Sequence, residues 1–259
     1  MIQQQALAAP LLEPVGSDQQ IAFANGLSLL ANAAFAENDS QQMSANEGIR
    51  AGLALRYLPK GIAGFRPLVE VGGWTEPNAS FNFQREYING AGFAVGQGYT
   101  NGSVSNTYGR AGIVWESTPA DQVMVTGEMD RSWSVVRAYA EPVSATNPFE
   151  AEVLSGTDAM NSAKLRMQWT HHFGQVIDAT VWAAGARSFG DAIELTAAVP
   201  MAGELVPTAL TPNTWAEYGG RVGFKLNPQV TADLSLAGVS GFDGMGTSAE
   251  LRAATRIAF

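Results

Sequence analysis

His171 and His172 stand side by side and are the only histidines in 259 residues. Neighbouring residues of an extended chain point to opposite faces. One metal ion would not readily reach both rings, so the pair reads as an interfacial feature rather than a ligand set. A nucleophile relayed through histidine needs a serine and an acid close by. The residue two beyond His172 is Gly174, and no such set follows it. Glu128 and Asp130 sit two apart, the spacing of paired carboxylates for acid–base work. Bases such as Arg110 and Arg166 share their face, which makes structural ion pairs the stronger reading. There are no cysteines, hence no disulfide and no thiolate site. Neither Gly96-Gln97-Gly98 nor Gly244-Met245-Gly246 leads from a strand into a helix, so neither is a phosphate cradle. The net charge of −9 lacks the basic footprint of a nucleic-acid partner. The expectation is a protein with no catalytic residue, no metal and no cofactor.

What positions these residues is an alternation of period two, clearest from Trp215 to Phe259. Ala216, Tyr218, Gly220, Val222 and Phe224 alternate with Glu217, Gly219, Arg221, Gly223 and Lys225. Leu234 and Leu236 alternate with Asp233 and Ser235, and Ala253, Thr255, Ile257 and Phe259 with Glu250, Arg252 and Arg256. Such runs predict strands with one apolar and one polar face. The same reading places strands at 20–36, 48–58, 64–75, 107–117, 121–137, 161–173, 175–189, 214–226, 229–240 and 248–259. Their polar face adds Arg50, Arg56, Arg66, Glu70, Arg110, Glu116, Glu128, Asp130, Lys164, Arg166 and Asp178. The few outward cations, Arg131, Arg137 and Arg187, come late in their strands.

A soluble sandwich shows the same alternation. Charges of both signs on the polar face, and an aromatic in the apolar register at the end, favour an all-β transmembrane barrel that is apolar outside and wet inside. Composition agrees: 15% charged and 46% hydrophobic residues, with no run near the roughly 18 apolar residues of a membrane helix. Tyr57, Trp115, Trp169, Phe173, Tyr218 and Phe259 then read as an interface girdle. Inner Trp182 is expected to pack on an occupant of the bore.

Connections alternate short (59–63, 118–120, 174, 227–228) and long (37–47, 76–106, 138–160, 190–213, 241–247), as tight periplasmic turns alternate with external loops. Ten strands are read directly, with both termini on the periplasmic side. Asn89-Gly90 is a hairpin signal. Counted as two more strands it gives twelve, and the alternative is a ribbon projecting above the membrane. Residues 1–19 read as a linker or lumen-threading segment before a barrel of residues 20–259. Met1 to Gln5 do not form a signal peptide, so the chain is expected to be part of a longer precursor.

The stretch from Trp215 through Phe224, the turn Asn227-Pro228 and the ending Leu251 to Phe259 resemble the autotransporter C-terminal β-domain. Tyr108-Gly109-Arg110-Ala111-Gly112 and Gln168-Trp169-Thr170-His171 are similar to the same group. The resemblance implies a twelve-stranded translocator in the bacterial outer membrane, with a helix through its lumen. It implies an N-terminal passenger domain exported by type V secretion, and outer-membrane lipid as surroundings. The barrel assembly machinery would read the ending Ala253, Thr255, Ile257 and Phe259. The family's cleavage-site asparagine pair is absent. A free-standing small barrel, acting as a narrow channel or as an adhesin through its loops, is the alternative.

Overall fold

The computed structural model describes residues 19–36, 48–89, 92–143, 152–189, 194–198, 205–209, 214–227, 230–242 and 247–257. In chain order the strands are β1 (Gln19–Ala22), β2 (Leu27–Ala36), β3 (Gly48–Tyr57), β4 (Phe65–Asn89), β5 (Gly92–Glu116) and β6 (Asp121–Val136). They continue with β7 (Tyr139–Ala140), β8 (Glu152–Val153), β9 (Gly156–Phe173), β10 (Ile177–Phe189) and β11 (Glu194–Ala198). The last are β12 (Leu205–Ala209), β13 (Thr214–Lys225), β14 (Val230–Gly241) and β15 (Thr247–Ile257). Eleven of them form one antiparallel sheet whose order follows the chain, β1-β2-β3-β4-β5-β6-β9-β10-β13-β14-β15. The other four make a second small sheet from two of the long connections, in the order β12-β11-β8-β7.

The large sheet is inverted relative to a soluble protein. Glu70 and Asp130 are 2% and 7% exposed, while Leu165 and Leu251 are 65% and 68% exposed. Water outside would make this arrangement doubly costly, since it bares apolar area and buries charge. Hydrocarbon outside makes both terms favourable, and this rules out the soluble sandwich. The polar face is turned in, and the apolar face forms the outer surface of a barrel wall.

The expected girdle lies on that outer face, with Tyr57, Trp115, Trp169, Phe173 and Tyr218 all exposed. Phe65 stacks on Trp115, ring centres 5.7 Å apart, and His171 meets Phe173 edge-on at 4.4 Å. Phe259 lies outside the described residues.

The ten directly read strands are present, with two differences in detail. The run 20–36 is not one strand: it folds back at Ala24–Gly26, with Asn25 at φ 64° and Gly26 at φ 84°. Asn and Gly tolerate the left-handed region, and an alanine-rich run hid the turn they make. β1 therefore runs toward the short-turn end, which corrects the expectation that the chain enters the barrel from there. The Asn89-Gly90 hairpin is the projecting ribbon: β4 and β5 are 25 residues each and pair from Phe65↔Trp115 out to Asn89↔Gly92.

Leu234→Arg on the outer face of β14 should cost about 2–4 kcal/mol of stability in a bilayer. Urea titration of protein refolded in lipid vesicles measures this, and a loss below about 0.5 kcal/mol would mean that face does not meet hydrocarbon.

Candidate functional site: the charged inner wall

Side chains opposite each other across antiparallel strands interact directly, and unlike charges there stabilise the pairing. Arg56, Glu70, Arg110, Glu128 and Lys164 are successive cross-strand partners on β3, β4, β5, β6 and β9. Their signs alternate. Arg56 Nε is 2.6 Å from Glu70 Oε2, and Arg110 Nη1 is 3.8 Å from Glu70 Oε1. Arg110 Nη2 is 2.7 Å from Glu128 Oε2, and Lys164 Nζ is 3.9 Å from Glu128 Oε1. The next partner in the row is Ala186 on β10. Its small side chain lets Lys164 lean across β10 to Glu217 on β13, at 3.0 Å.

The belt thus runs from β3 to β13. Neutral donors complete it: Tyr108 Oη donates to Glu70 Oε1 at 2.9 Å, and Trp215 Nε1 to Glu217 Oε1 at 2.9 Å. Every carboxylate in it is held by at least one cation.

Shorter links flank the belt at both ends. Arg50 binds Glu76 at 2.9 Å and lies 4.2 Å over the Trp74 ring. Nearer the short turns, Arg66 binds Glu116 at 2.6 Å, and Arg221 bridges Asp178 and Asp233, each at 2.7 Å. Lys225 is exposed where β13 ends. Arg166 donates to Gln168 Oε1 at 3.2 Å, its guanidinium 5.3 Å over the Trp182 ring.

Trp182 packs on the wall, against Gly219 and under Arg166, and the expected bore occupant lies outside the described residues. A Cβ at Gly219 would come within 2.3 Å of the Trp182 ring, so only glycine there leaves room for the indole. For Glu250, Arg252, Thr255, Arg256 and Ile257 only the β15 backbone register is described.

The pair Glu128 and Asp130 is divided between two environments. Glu128 belongs to the belt, whereas Asp130 accepts from Ser162 Oγ at 2.5 Å and from Asn106 Nδ2 at 3.2 Å. Asn106 also donates to Ser132 at 2.9 Å. Neither Asn106 nor the serines carry charge, so alternation of charge could not reveal them. Glu76 was missed because its strand was read as ending at Thr75.

Among the histidines, His171 faces outward at the turn side of the wall, and its Nδ1 is 2.7 Å from Asp121 Oδ1. Asp121 opens β6 directly after the turn, outside the apolar span. Hydrogen bonds from His171 first, then Thr118, with a smaller one from Trp169, hold its carboxyl below the usual carboxylate range. His172 is exposed on the opposite face.

An inverted wall with an ion-paired inner belt defines an outer-membrane-type antiparallel β-barrel. No protein-family model matches the chain, and no curated protein sequence matches it. Among solved structures it is similar to the crystal structure of the Ralstonia pickettii toluene transporter TbuX. Identity is 12%, over 87% of this chain and 71% of that one, at a TM-score of 0.38. A likeness this slight carries nothing about cargo.

Lys164→Met should destabilise the barrel by about 3 kcal/mol, because it takes from Glu217, a buried carboxylate, the cation 3.0 Å away and leaves Glu128 with Arg110 alone. A loss under about 1 kcal/mol in the same urea titration would show that lumen water screens the belt. Gly219→Ala, by overpacking against Trp182, should cost about 1–3 kcal/mol.

At Asp121 the folded pKa is depressed, so its contribution is present above the unfolded value of about 3.9. It is lost as pH falls through the lower, folded value. His171→Ala should move the Asp121 titration upward, as read by carboxyl NMR shifts; an unmoved midpoint would sink this assignment.

Proposed function

We propose that this barrel sits in the bacterial outer membrane and is the anchor and translocator of a segment N-terminal to it. The observation that carries this reading is the direction of β1. Tight turns at 58–64 and 117–120 mark one end of the wall, which in outer-membrane barrels faces the periplasm. β1 runs toward that end, from Gln19 opposite Ala31 to Ala22 opposite Ser28, and the chain then climbs β2. The first long strand is thus approached from within the span. A chain whose preceding part has passed to the outside must return in that sense.

In mechanism, the inner wall keeps the path wet. Its charges of both signs are satisfied by one another and by hydroxyls, so a passing segment meets polar partners without a strong field of one sign. No residue acts as a catalyst. The partners are outer-membrane lipid, the chain's own passenger and the assembly machinery, which would read the ending at Ala253, Thr255, Ile257 and Phe259.

A second reading, a free-standing channel or adhesin, is favoured by the long β4–β5 ribbon and the β12-β11-β8-β7 sheet, which give the far end an ordered surface. An epitope inserted between residues 5 and 6 separates the two readings. Antibody labelling of intact cells, with an outer-membrane band far above 27.3 kDa or a separate surface fragment, is the expected result. An epitope reached only after the outer membrane is opened, with a single heat-modifiable band near 27.3 kDa, would overturn the translocator and leave the second reading.

A further inference from the structure

The outer face should be apolar throughout, yet within the described strands two arginines break the rule, Arg137 lying just past the end of β6. Arg131 on β6 and Arg187 on β10 both point outward and are exposed. Cross-strand register places Arg131 opposite Asn161, Asn161 opposite Phe189, and Arg187 two pairs below Phe189. They are therefore two strands and two residues apart, about 12 Å between their backbones at ordinary strand spacing. Among the described residues neither arginine has a carboxylate within ion-pair distance; Arg131 lies instead 5.5 Å over the Trp133 ring.

An outward arginine at mid-bilayer costs roughly 2–4 kcal/mol, falling toward zero at the interface. The outward polar residues Thr75, Thr107, Asn161 and Thr214 share this end of the wall, so the arginines mark the outer edge of the apolar belt. Two cations with no carboxylate partner among the described residues thus stand at that edge.

Beside Arg131, in its own row and in the row that holds Arg187, the wall is hollowed. A cavity of about 300 Å³ opens there, lined by Thr107, Gly109, Met129, Arg131, Asn161 and Phe189 and reaching the inward-facing positions Tyr108 and Asp130, whose carboxylate is taken up by Ser162 and Asn106. A Cβ at Gly109, or at Gly127 beside it, would touch nothing within 4 Å. A cation and two polar side chains rim a recess floored by glycine and flanked by Met129 and Phe189. That combination takes a ligand with an anionic head and an apolar body.

The geometry points to a specific site for a lipid of the outer leaflet, its phosphorylated headgroup held between Arg131 and Arg187 and an acyl chain lying in the recess over Gly109. Arginine suits the task because its planar fork makes bidentate hydrogen bonds to phosphate. The site rests on the barrel lying in an outer membrane, and it does not depend on what the lumen carries. Failure of the passenger reading leaves it intact.

The test is retention of a diphosphorylated glycolipid by the purified, folded barrel in mixed micelles, read by native mass spectrometry. The dephosphorylated glycolipid is run beside it, and the heat shift of the barrel on gels reports folding for every variant. Wild type should retain about one phosphorylated lipid and release the dephosphorylated form. Arg131→Gln with Arg187→Gln should cut retention at least about tenfold, which corresponds to the loss of one good charge-assisted contact. Gly109→Trp should fill the recess and also weaken retention, without disturbing the heat shift.

Equal retention of the two lipids, or by wild type and the double arginine variant, would overturn the site. So would displacement of the glycolipid by an equal concentration of inorganic phosphate, which would show that the arginines read an anion without its lipid.

Discussion

A wall one strand thick has no interior of its own. Each side chain must therefore choose between hydrocarbon and lumen, and period two makes the choice for every residue at once. The inner choice holds this structure together. Charges turned away from lipid are stable only where they meet the opposite sign, and the row from Arg56 to Lys164 supplies that meeting at each strand boundary. The apolar outer face could slide past a neighbour with little change in energy. The inner row cannot.

Much of this was legible in the sequence, because both solvents write on the same residues. Leu53, Leu55, Ile113, Leu165 and Leu234 announce the outer face, and Arg110, Glu128 and Arg221 the inner one. Apart from the split of 20–36, the strands found this way match those that form, and the expectation of an antiparallel outer-membrane-type barrel agrees with them. Three features were hidden, each for a physical reason. The turn at Asn25-Gly26 sits in an alanine- and leucine-rich run whose alternation continues across it. The far half of β4 follows a register shift between Glu76 and Ala79, so the phase of the pattern flips and the strand seemed to end. The pairing of particular charges depends on register between strands, and one strand's sequence does not carry it.

The candidate site was legible as a set of residues but not as a structure. Glu128 and Asp130 look equivalent in sequence, yet one joins a chain of ion pairs and the other is held by Ser162 and Asn106. Trp182 was legible as an inward aromatic, but not its seat in the wall, where Gly219 has no side chain. At the outer rim, Arg131 and Arg187 stood out as departures from the pattern, but the recess beside them appears only when four strands are set side by side.

The alternating row also bears on how such a sheet assembles without error. Slide β5 along β6 by two residues and Arg110 loses Glu128, finding Thr126 or Asp130 instead, while Glu128 faces Gly112 or Tyr108. A shift by one turns the whole strand inside out. Each newly added strand is thus checked against its predecessor by a single charged tooth, and the correct match is confirmed near the middle of the span, before the ends have closed. The same five residues that line the inner wall thus favour one register at each of four successive strand boundaries.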